Sequence, residues 1–123
     1  MSAQKHIFVV EDNGMLREMI STFLLKEGYV VSVFPDGEKA LEAVRSTISK
    51  IALVLTDFSM PGITGGELAQ ALRQLDPNCP VVLLSGEYSE KTLPQELVEY
   101  FDKIIHKPFE MDFLIDELCR IVR

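Results

Sequence analysis

The sequence predicts an α/β fold, a doubly wound (βα)5 domain with a five-stranded parallel sheet and helices on both faces. Five short apolar segments alternate with five segments in which apolar residues recur at helical spacing. The strand segments are apolar throughout rather than alternating, which indicates burial on both faces. The connections are short, as in βαβ units. With 123 residues, the chain fits a single domain that spans residues 1–123.

The predicted strands are rich in β-branched residues and are bounded by turn residues. They cover residues 6–10, 29–34, 51–56, 81–85 and 103–106. Pro35, Asp36 and Gly37 end the second strand, and Pro80 precedes the fourth.

The predicted helices carry apolar residues three and four positions apart. In the first two helices these are Met15, Leu16, Met19, Ile20, Phe23 and Leu24, then Ala40, Leu41, Val44 and Ile48. In the third and fifth they are Leu68, Leu72 and Leu75, then Phe113, Leu114, Leu118 and Ile121. Gly28 supplies a stop for the first helix. The fourth helix is predicted to open with a capping box between Thr92 and Gln95 and to run to about Tyr100.

The composition is that of a globular protein with an acidic balance. A net charge of -7 and a pI near 4.8 give no electrostatic footprint for DNA or RNA, so no direct nucleic-acid binding is expected. Cys79 and Cys119 have no CxxC spacing, which favours reduced, buried thiols. The apolar run near the N-terminus has only four residues, too few for a signal peptide or a membrane span. We therefore expect a cytoplasmic protein without membrane contact.

Chemically active side chains stand where the predicted strands end. They are Glu11 and Asp12 after the first strand, Asp57 after the third, Ser85 at the end of the fourth and Lys107 after the fifth. Each has an ordinary role when taken alone, because acids after strands commonly form turns or cap helices. In open α/β sheets, however, ligands bind at the carboxyl ends of the strands. Three carboxylates, a hydroxyl and an amine are therefore predicted to line one crevice.

The grouped acids need a counter-charge, because two unit charges about 4 Å apart repel by roughly 4 kcal/mol at an effective dielectric near 20. Short carboxylates suit a hard cation such as Mg²⁺, which keeps several waters. Lys107 adds a flexible point charge, and a cation beside a lysine and a hydroxyl suits a phosphoryl group. Asp57 is then predicted to be a nucleophile that carries a phosphoryl group as a mixed anhydride, with the amides of Phe58 and Ser59 nearby.

Four motifs match a known family in order. They are the acidic pair Glu11 and Asp12, DFSMPGITG (57–65), LLSGEYS (83–89) and HKPF (106–109). With these motifs, the chain resembles the receiver domain of two-component response regulators over essentially its full length. The second motif fits the family pattern D-x-x-M-P-G-x-x-G, and the last fits K-P-F. The resemblance implies the flavodoxin-like strand order 2-1-3-4-5 and a role in phosphorelay signal transduction.

The resemblance implies that Asp57 accepts a phosphoryl group from the phosphohistidine of a sensor histidine kinase or a histidine phosphotransfer protein. Mg²⁺ would be held by Asp12, Asp57 and the backbone carbonyl of Ser59, and by Glu11 through water. The phosphorylated domain would switch its contacts with a downstream protein or a fused output domain. Such a domain is a regulatory phosphoacceptor rather than an enzyme, although it promotes its own phosphorylation and dephosphorylation.

The same resemblance assigns roles around the phosphoryl group. The phosphoryl oxygens would be held by Ser85, Lys107 and the amides of Phe58 and Gly86. The Lys107–Pro108 bond would be cis, an arrangement that proline makes accessible. Ser59 and Glu87 lie two residues after the acceptor and the hydroxyl residue, where the family tunes phosphoryl lifetime.

One position departs from the family. Receivers usually carry Tyr or Phe three residues before the lysine, and this ring turns inward when the hydroxyl residue moves. Here that switch position is Ile104, whose β-branched side chain is stiff. We therefore expect the signal to pass through residues 86–90 and the start of the fourth helix, with Tyr88 as an exposed reporter. Tyr100 and Phe101 are expected to pack within the fold.

Several alternatives share the fold. A flavodoxin-like flavin-binding domain needs a phosphate loop rich in Ser, Thr or Gly after the first strand, where this chain has EDNGM. A Mg²⁺-dependent phosphatase with an aspartyl nucleophile needs a second acid two residues later, where this chain has Ser59. A degenerate receiver used only for protein contacts is disfavoured because the chemical positions are filled. His6 and His106 lack the spacing of metal ligands. The chain suits a stand-alone receiver, but a module of a longer regulator or hybrid kinase fits equally.

Overall fold

The computed structural model describes residues 4–47, 50–88 and 91–122. Its strands are β1 (His6–Val10), β2 (Val30–Phe34), β3 (Leu53–Asp57), β4 (Val81–Ser85) and β5 (Lys103–His106). The alternating helices are α1 (Gly14–Lys26), α2 (Gly37–Ser46), α3 (Gly65–Leu75), α4 (Gln95–Val98) and α5 (Met111–Val122). Neighbouring strands are parallel, in the order β2-β1-β3-β4-β5. The predicted fold class and strand order are confirmed.

The sheet is the middle of three layers. One face packs against α1 and α5, through Val9, Leu55, Leu24, Leu114 and Leu118. The opposite face packs against α2 and α3, through Phe8, Val54, Ala40, Leu68 and Leu72. Burying one large aliphatic side chain stabilises a fold by roughly 1.5–3 kcal/mol, so these two layers hold the strand ends in fixed positions.

Three helices begin with side-chain caps. Asn13 caps α1 and Asp36 caps α2, each by accepting a hydrogen bond from the backbone N–H three residues later. Thr64 and Glu67 form a reciprocal capping box at the start of α3. Gly28 follows α1 with φ of 94°, a left-handed backbone that favours glycine, and supplies the predicted stop.

Some element boundaries differ from the prediction. β2 begins at Val30, one residue later than predicted, and β3 extends through Asp57. Asp57 is paired with Leu84 of β4, so the carboxylate stands on the last residue of the strand rather than after it. Helix α2 ends at Ser46, and Ile48, which was predicted to extend it, lies outside the described residues.

The predicted start and length of α4 are wrong. The helix has only four residues, Gln95–Val98, and no side-chain hydrogen bond caps it. Pro94 has φ of -50° and ψ of 134°, which is not helical, so the turn between Thr92 and Gln95 cannot close as a capping box. Tyr100 and Phe101 lie beyond the helix and pack against the face of the sheet that carries α2 and α3.

α5 closes the fold as predicted. Leu114 and Leu118 are fully buried against the sheet, whereas Phe113 on the outer side is 50% exposed. In the part of the chain that the structure describes, no helix combines the length and apolar character needed to cross a membrane.

Both cysteines are buried and neither is in a disulfide. Burial, with a smaller contribution from the nearby carboxylate of Asp76, raises the pKa of Cys79 to about 11. This thiol is therefore protonated at neutral pH and behaves as a small apolar side chain, as the sequence predicts.

Arg73, in the last turn of α3, joins the amino ends of β4 and β5. Its guanidinium donates four hydrogen bonds, to the carbonyl oxygens of Pro77 (3.1 Å), Cys79 (2.7 Å) and Tyr100 (3.0 Å) and to the carboxylate of Asp102 (2.8 Å). The same carboxylate accepts a bond from the N–H of Val81 at 2.9 Å. Arg73 therefore ties together the amino ends of β4 and β5, at the edge of the sheet opposite the predicted site.

Candidate functional site

Glu11 follows β1 and is 1% exposed. One carboxylate oxygen accepts from the ammonium of Lys107 at 3.1 Å, and the other accepts from the backbone N–H of Asn13 at 3.1 Å. A buried carboxylate needs such partners, because an unpaired one would carry a large desolvation penalty. Asp12, the next residue, is exposed. The acidic pair thus presents one buried and one open carboxylate.

Asp57 ends β3 and is 7% exposed. Its Oδ1 accepts from the backbone N–H of Phe58 at 2.9 Å and lies 3.3 Å from the ammonium of Lys107. The hydroxyl of Thr56 donates to the backbone carbonyl of Asp57 at 2.9 Å. The carboxylate is therefore oriented from its own strand and from the chain that follows it.

Gly65 allows α3 to start directly against this strand end. A Cβ at this position would lie 2.3 Å from the carbonyl oxygen of Asp57 and 2.9 Å from the Cα of Phe58. The N–H of Gly65 donates to the carbonyl of Phe58 at 2.8 Å. Only glycine lets the backbone come this close, so the last residue of the family motif fixes the loop that carries Asp57.

The structure brings together the predicted charged residues. Carboxylate oxygens of Glu11, Asp12 and Asp57 all lie within 4.8 Å of one another. Lys107 lies between two of them, 3.1 Å from Glu11 and 3.3 Å from Asp57. Three hard oxygen donors, one of them exposed and open to water, fit a divalent cation such as Mg²⁺, which retains several waters.

Burial and the charges of neighbouring groups shift the pKa values of the site residues. Burial raises the pKa of Asp57, which Lys107 partly opposes and Asp12 reinforces. Burial also raises the pKa of Glu11, with a further increase from the charge of Asp57. Burial alone would lower the pKa of Lys107, but the two facing carboxylates outweigh it and raise that pKa. Ionisation of Glu11 and Asp57 is thus disfavoured in the folded protein, and a bound cation would favour it.

Ser85 ends β4 and is 1% exposed. Its hydroxyl oxygen accepts hydrogen bonds from the backbone N–H groups of Glu87 at 3.1 Å and Tyr88 at 2.8 Å. Its carbonyl accepts from the N–H of Lys107 at 2.8 Å, which sets the two residues side by side. The Lys107–Pro108 bond is cis, as the resemblance implies. Accepting these bonds leaves the hydroxyl proton of Ser85 able to donate.

Two contacts join the loops after β3 and β4. The hydroxyl of Ser59 donates to the carboxylate of Glu87. The rings of Phe58 and Tyr88 meet edge to face with centroids 5.0 Å apart. Tyr88 is therefore half-buried rather than exposed, because it packs on the residue that follows Asp57. Ser89 and Glu90, which are predicted to belong to this loop, lie outside the described residues.

The remaining predicted positions lie around this centre. Gly86 directly follows Ser85, and a Cβ on it would meet no atom within 4 Å. Ile104 is half-buried on β5, opposite Leu83 of β4. His6 is at the other end of β1, where its ring hydrogen-bonds Ser32 at 2.7 Å. It therefore takes no part in the acidic cluster.

Sequence patterns alone do not single out Arg17. Its guanidinium donates to the backbone carbonyl of Glu11 at 2.7 Å and brings a second cation to the site. The only sequence signal is a basic residue in the first turn of the helix that follows the acidic pair. Such a residue is usually solvated, so its contact emerges only from the folded structure.

The comparisons with known proteins decide the family. The model of the response regulator receiver domain matches residues 7–119. The chain belongs to this family. Among curated proteins, the transcriptional regulatory protein CseB of Streptomyces avermitilis is 31% identical over 123 residues, which are 100% of this chain and 51% of CseB. The receiver protein CpdR of Brucella abortus is 30% identical over 118 residues, 96% of this chain and 97% of CpdR.

The chain therefore spans about half the length of CseB but nearly all of CpdR. Among solved structures, the response regulator TrrA of Thermotoga maritima, in complex with Mg²⁺ and BeF, has a TM-score of 0.84 and 30% identity. That match covers 96% of this receiver and 99% of TrrA. The chemotaxis response regulator CheY4 of Vibrio cholerae has a TM-score of 0.86 and 27% identity, with 97% and 99% covered.

This receiver is a module of two-component phosphorelay signalling. The flavin-binding and phosphatase alternatives are not favoured, since the family match and the relatives all lie among response regulators. Receiver domains bind Mg²⁺ in an acidic pocket, and this chain has such an acidic cluster at the carboxyl edge of its sheet.

Proposed function

We propose that Asp57 is the phosphoacceptor of this receiver, and that residues 1–123 act as one receiver domain. The observation that carries the proposal is the position of Lys107, whose ammonium contacts the carboxylates of both Glu11 and Asp57. A phosphoryl group on Asp57 would bring new negative oxygens within reach of that cation. Charge-assisted bonds of this kind are the strong ones in proteins.

The proposed magnesium ligands are Asp12, Asp57 and the backbone carbonyl of Ser59, with Glu11 acting through water. The clustered oxygens support this assignment, as does the Mg²⁺ in the complex of TrrA. When bound, Mg²⁺ neutralises charge on the transferring phosphoryl group. The exposed Asp12 gives the cation an entry from solvent.

In the proposed transfer, a carboxylate oxygen of Asp57 attacks the phosphorus of a phosphohistidine. An O–P bond forms, the N–P bond breaks, and its electron pair stays with the departing imidazole. The phosphoryl oxygens are received by Lys107, the Ser85 hydroxyl and the amides of Phe58 and Gly86. Such a reaction asks the protein mainly for positioning and charge neutralisation.

The phosphoryl donor in this proposal is a sensor histidine kinase or a histidine phosphotransfer protein. The signal is passed to a downstream protein or a fused output domain, in keeping with relatives such as CseB that are about twice as long as this chain. The Ser59–Glu87 hydrogen bond crosses the gap between the two loops beside Asp57 and supports a role for this pair in phosphoryl lifetime. The domain promotes its own dephosphorylation but turns over no separate substrate.

The proposed switch starts at Ser85. When its hydroxyl moves toward the phosphoryl group, the N–H groups of Glu87 and Tyr88 that bond to it are drawn along. Tyr88 also contacts Phe58, so it is linked both to the loop that follows Asp57 and to the hydroxyl of Ser85. Ile104 has no ring to turn inward. The movement is therefore passed through residues 86–90 to the start of α4.

Acetyl phosphate with Mg²⁺ tests the proposal, with the mass of the intact protein as the measurement. Wild type should gain one acid-stable, base-labile phosphoryl group, and Asp57→Asn should gain none. Asp36→Asn is the matched control, because Asp36 caps α2 and is not a member of the acidic cluster, and asparagine also caps well. Equal incorporation in wild type and Asp57→Asn would exclude Asp57 as the acceptor.

A further inference from the structure

Arg17 lies beside the acidic cluster, and the proposed reaction gives it no role. It is half-buried in the first turn of α1. Its Nη1 donates to the carbonyl oxygen of Glu11 at 2.7 Å, a short charge-assisted hydrogen bond. A Cβ on Gly14 would lie 3.5 Å from Nη2, so the guanidinium runs close over the start of the helix.

At this position Arg17 does not stabilise α1 itself. The amino end of a helix carries a partial positive charge, so a cation in the first turn is electrostatically unfavourable there. No acidic residue occupies that turn to offset the guanidinium. The favourable partner of Arg17 is thus the loop before the helix, through the carbonyl of Glu11.

Arg17 also completes the anchoring of Glu11. The N–H of Glu11 donates to the carbonyl of Phe34 at 3.1 Å. Its carboxylate is held by Lys107 and by the N–H of Asn13, both at 3.1 Å. The carbonyl is held by Arg17. Every polar group of this residue therefore has a partner, although it lies at the start of a loop.

We propose that Arg17 is a positioning residue for the magnesium site, an inference that rests on the proposed function of the acidic cluster. A peptide unit is planar, so fixing the carbonyl of Glu11 also fixes the N–H of Asp12 and the direction in which Asp12 leaves the strand. Asp12 is the exposed carboxylate of the cluster, so it depends on its backbone for orientation. Arg17 holds that backbone in place before the cation arrives.

The two roles open to a nearby cation predict opposite results. If Arg17 acted only through its charge, its removal would take a positive charge away from the cluster and tighten Mg²⁺ binding. If it positions the Glu11–Asp12 peptide, its removal weakens Mg²⁺ binding in spite of the lost repulsion. Loss of an outer partner of a metal ligand typically weakens affinity by 10–100-fold, so we expect about a tenfold loss.

The test is a Mg²⁺ titration followed by backbone amide NMR shifts, which does not depend on phosphorylation. Arg17→Met removes the charge and the donor and should weaken Mg²⁺ binding about tenfold. Arg17→Gln keeps a neutral donor and should recover part of that loss. Arg45→Met is the matched control, because Arg45 is an exposed arginine in the last turn of α2 and should bind Mg²⁺ as wild type does.

The melting temperature of each variant without Mg²⁺ separates positioning from a general loss of structure. Equal or tighter Mg²⁺ binding by Arg17→Met overturns the inference. If that variant does not fold, Arg17→Gln decides, since weaker binding than wild type supports positioning and equal or tighter binding overturns it. Failure of wild type to bind Mg²⁺, or unchanged binding by Asp12→Asn, would instead overturn the proposed function.

Discussion

The two sides of the carboxyl edge are built differently. The acidic side consists of Glu11, Asp12 and Asp57, and the helices that follow these residues, α1 and α3, begin with side-chain caps. The hydroxyl side consists of residues 85–88 and α4. On that side the hydroxyl of Ser85 holds the loop through two hydrogen bonds. The helix α4 has four residues, none of which is buried, and no side-chain hydrogen bond caps it.

This difference follows from what each side must do. Carboxylates repel one another, so they come together only where the backbone and a cation hold them. In the proposed switch the hydroxyl instead moves when a phosphoryl group is attached, and elements with few buried contacts move at low cost. The proposed function therefore uses the acidic side as a fixed receptor and the hydroxyl side as its responsive element.

Adding one methyl group to each side should give the largest contrast. In Gly65→Ala the new Cβ meets the backbone of Asp57 at 2.3 Å, so the free energy of unfolding should fall by about 3 kcal/mol, the upper range for overpacking. Phosphorylation should fall with it. In Gly86→Ala the Cβ meets no atom within 4 Å, so stability should change by less than about 1 kcal/mol. Urea denaturation measures both, and equal losses would contradict the contrast.

Magnesium should stabilise the acidic side. At 100 times the dissociation constant, a ligand that binds only the folded state adds about 2.7 kcal/mol. The melting temperature of wild type should rise accordingly, and Asp12→Asn should lose most of the rise and most of the phosphorylation. Asp36→Asn, which keeps the α2 cap, should behave as wild type. An undiminished rise in Asp12→Asn would mean that Asp12 does not hold the cation.

The acidic side should also carry a pH signature when Mg²⁺ is absent. Burial raises the pKa of Asp57 above 3.8, so the folded state binds this proton more tightly than the unfolded state does. The contribution of Asp57 to the free energy of unfolding therefore falls as the pH rises from the ordinary carboxyl pKa through the raised one, and stays low above it. Asp57→Asn lacks this fall.

With a metal chelator present, the free energy of unfolding of Asp57→Asn should therefore increase relative to that of wild type as the pH rises from about 4 to 7, across the titration range of carboxyl groups. Urea denaturation at each pH gives the difference between the two proteins. Titrating groups away from the cluster largely cancel in this difference, whereas Glu11 and Lys107, whose pKa values depend on the charge of Asp57, contribute to it. A difference that does not depend on pH would contradict the raised pKa.

The smallest expected effect is a change in NMR signals on the hydroxyl side. Beryllofluoride, a stable phosphoryl mimic, should shift backbone amide signals strongly across residues 85–88 and the start of α4. The rotamer of Ile104 should change little, because its first torsion is stiff. Ile104→Tyr should extend the response toward α5. Large changes at Ile104 and α5 with residues 85–88 unmoved would show that the switch is wrongly placed.

Much of the fold and the centre of the site could be predicted from the sequence. Apolar, β-branched runs such as 81–85 have few alternatives to a buried strand, and parallel strands bring their carboxyl ends to one edge. Asp57 and Lys107 are 50 positions apart in sequence, yet this rule is enough to place them together. The charged centre follows from topology once the strands are known.

The rest depends on loop geometry that periodicity does not encode. The TLPQ pattern fits a capping box, but the backbone of Pro94 is not helical, so α4 starts later. Arg17 bonds to a backbone carbonyl, an acceptor that every residue has, so no partner residue marks the contact in the sequence. The Phe58–Tyr88 contact joins two loops from different strands and depends on how each one turns.

Arg73 anchors the chain at the carboxyl end of α4. Arg73 bonds the carbonyl of Tyr100 and the carboxylate of Asp102, just beyond the last turn of the helix, while the other end joins the loop that Ser85 controls. In the proposed switch, a displacement at Ser85 therefore becomes a rotation of α4 about its anchored end, largest at Gln95. Hydrogen exchange at the amides of Tyr100 and Asp102 should be no faster with the mimic bound than without it, because both amides are hydrogen-bonded; faster exchange there would show that the anchored end moves.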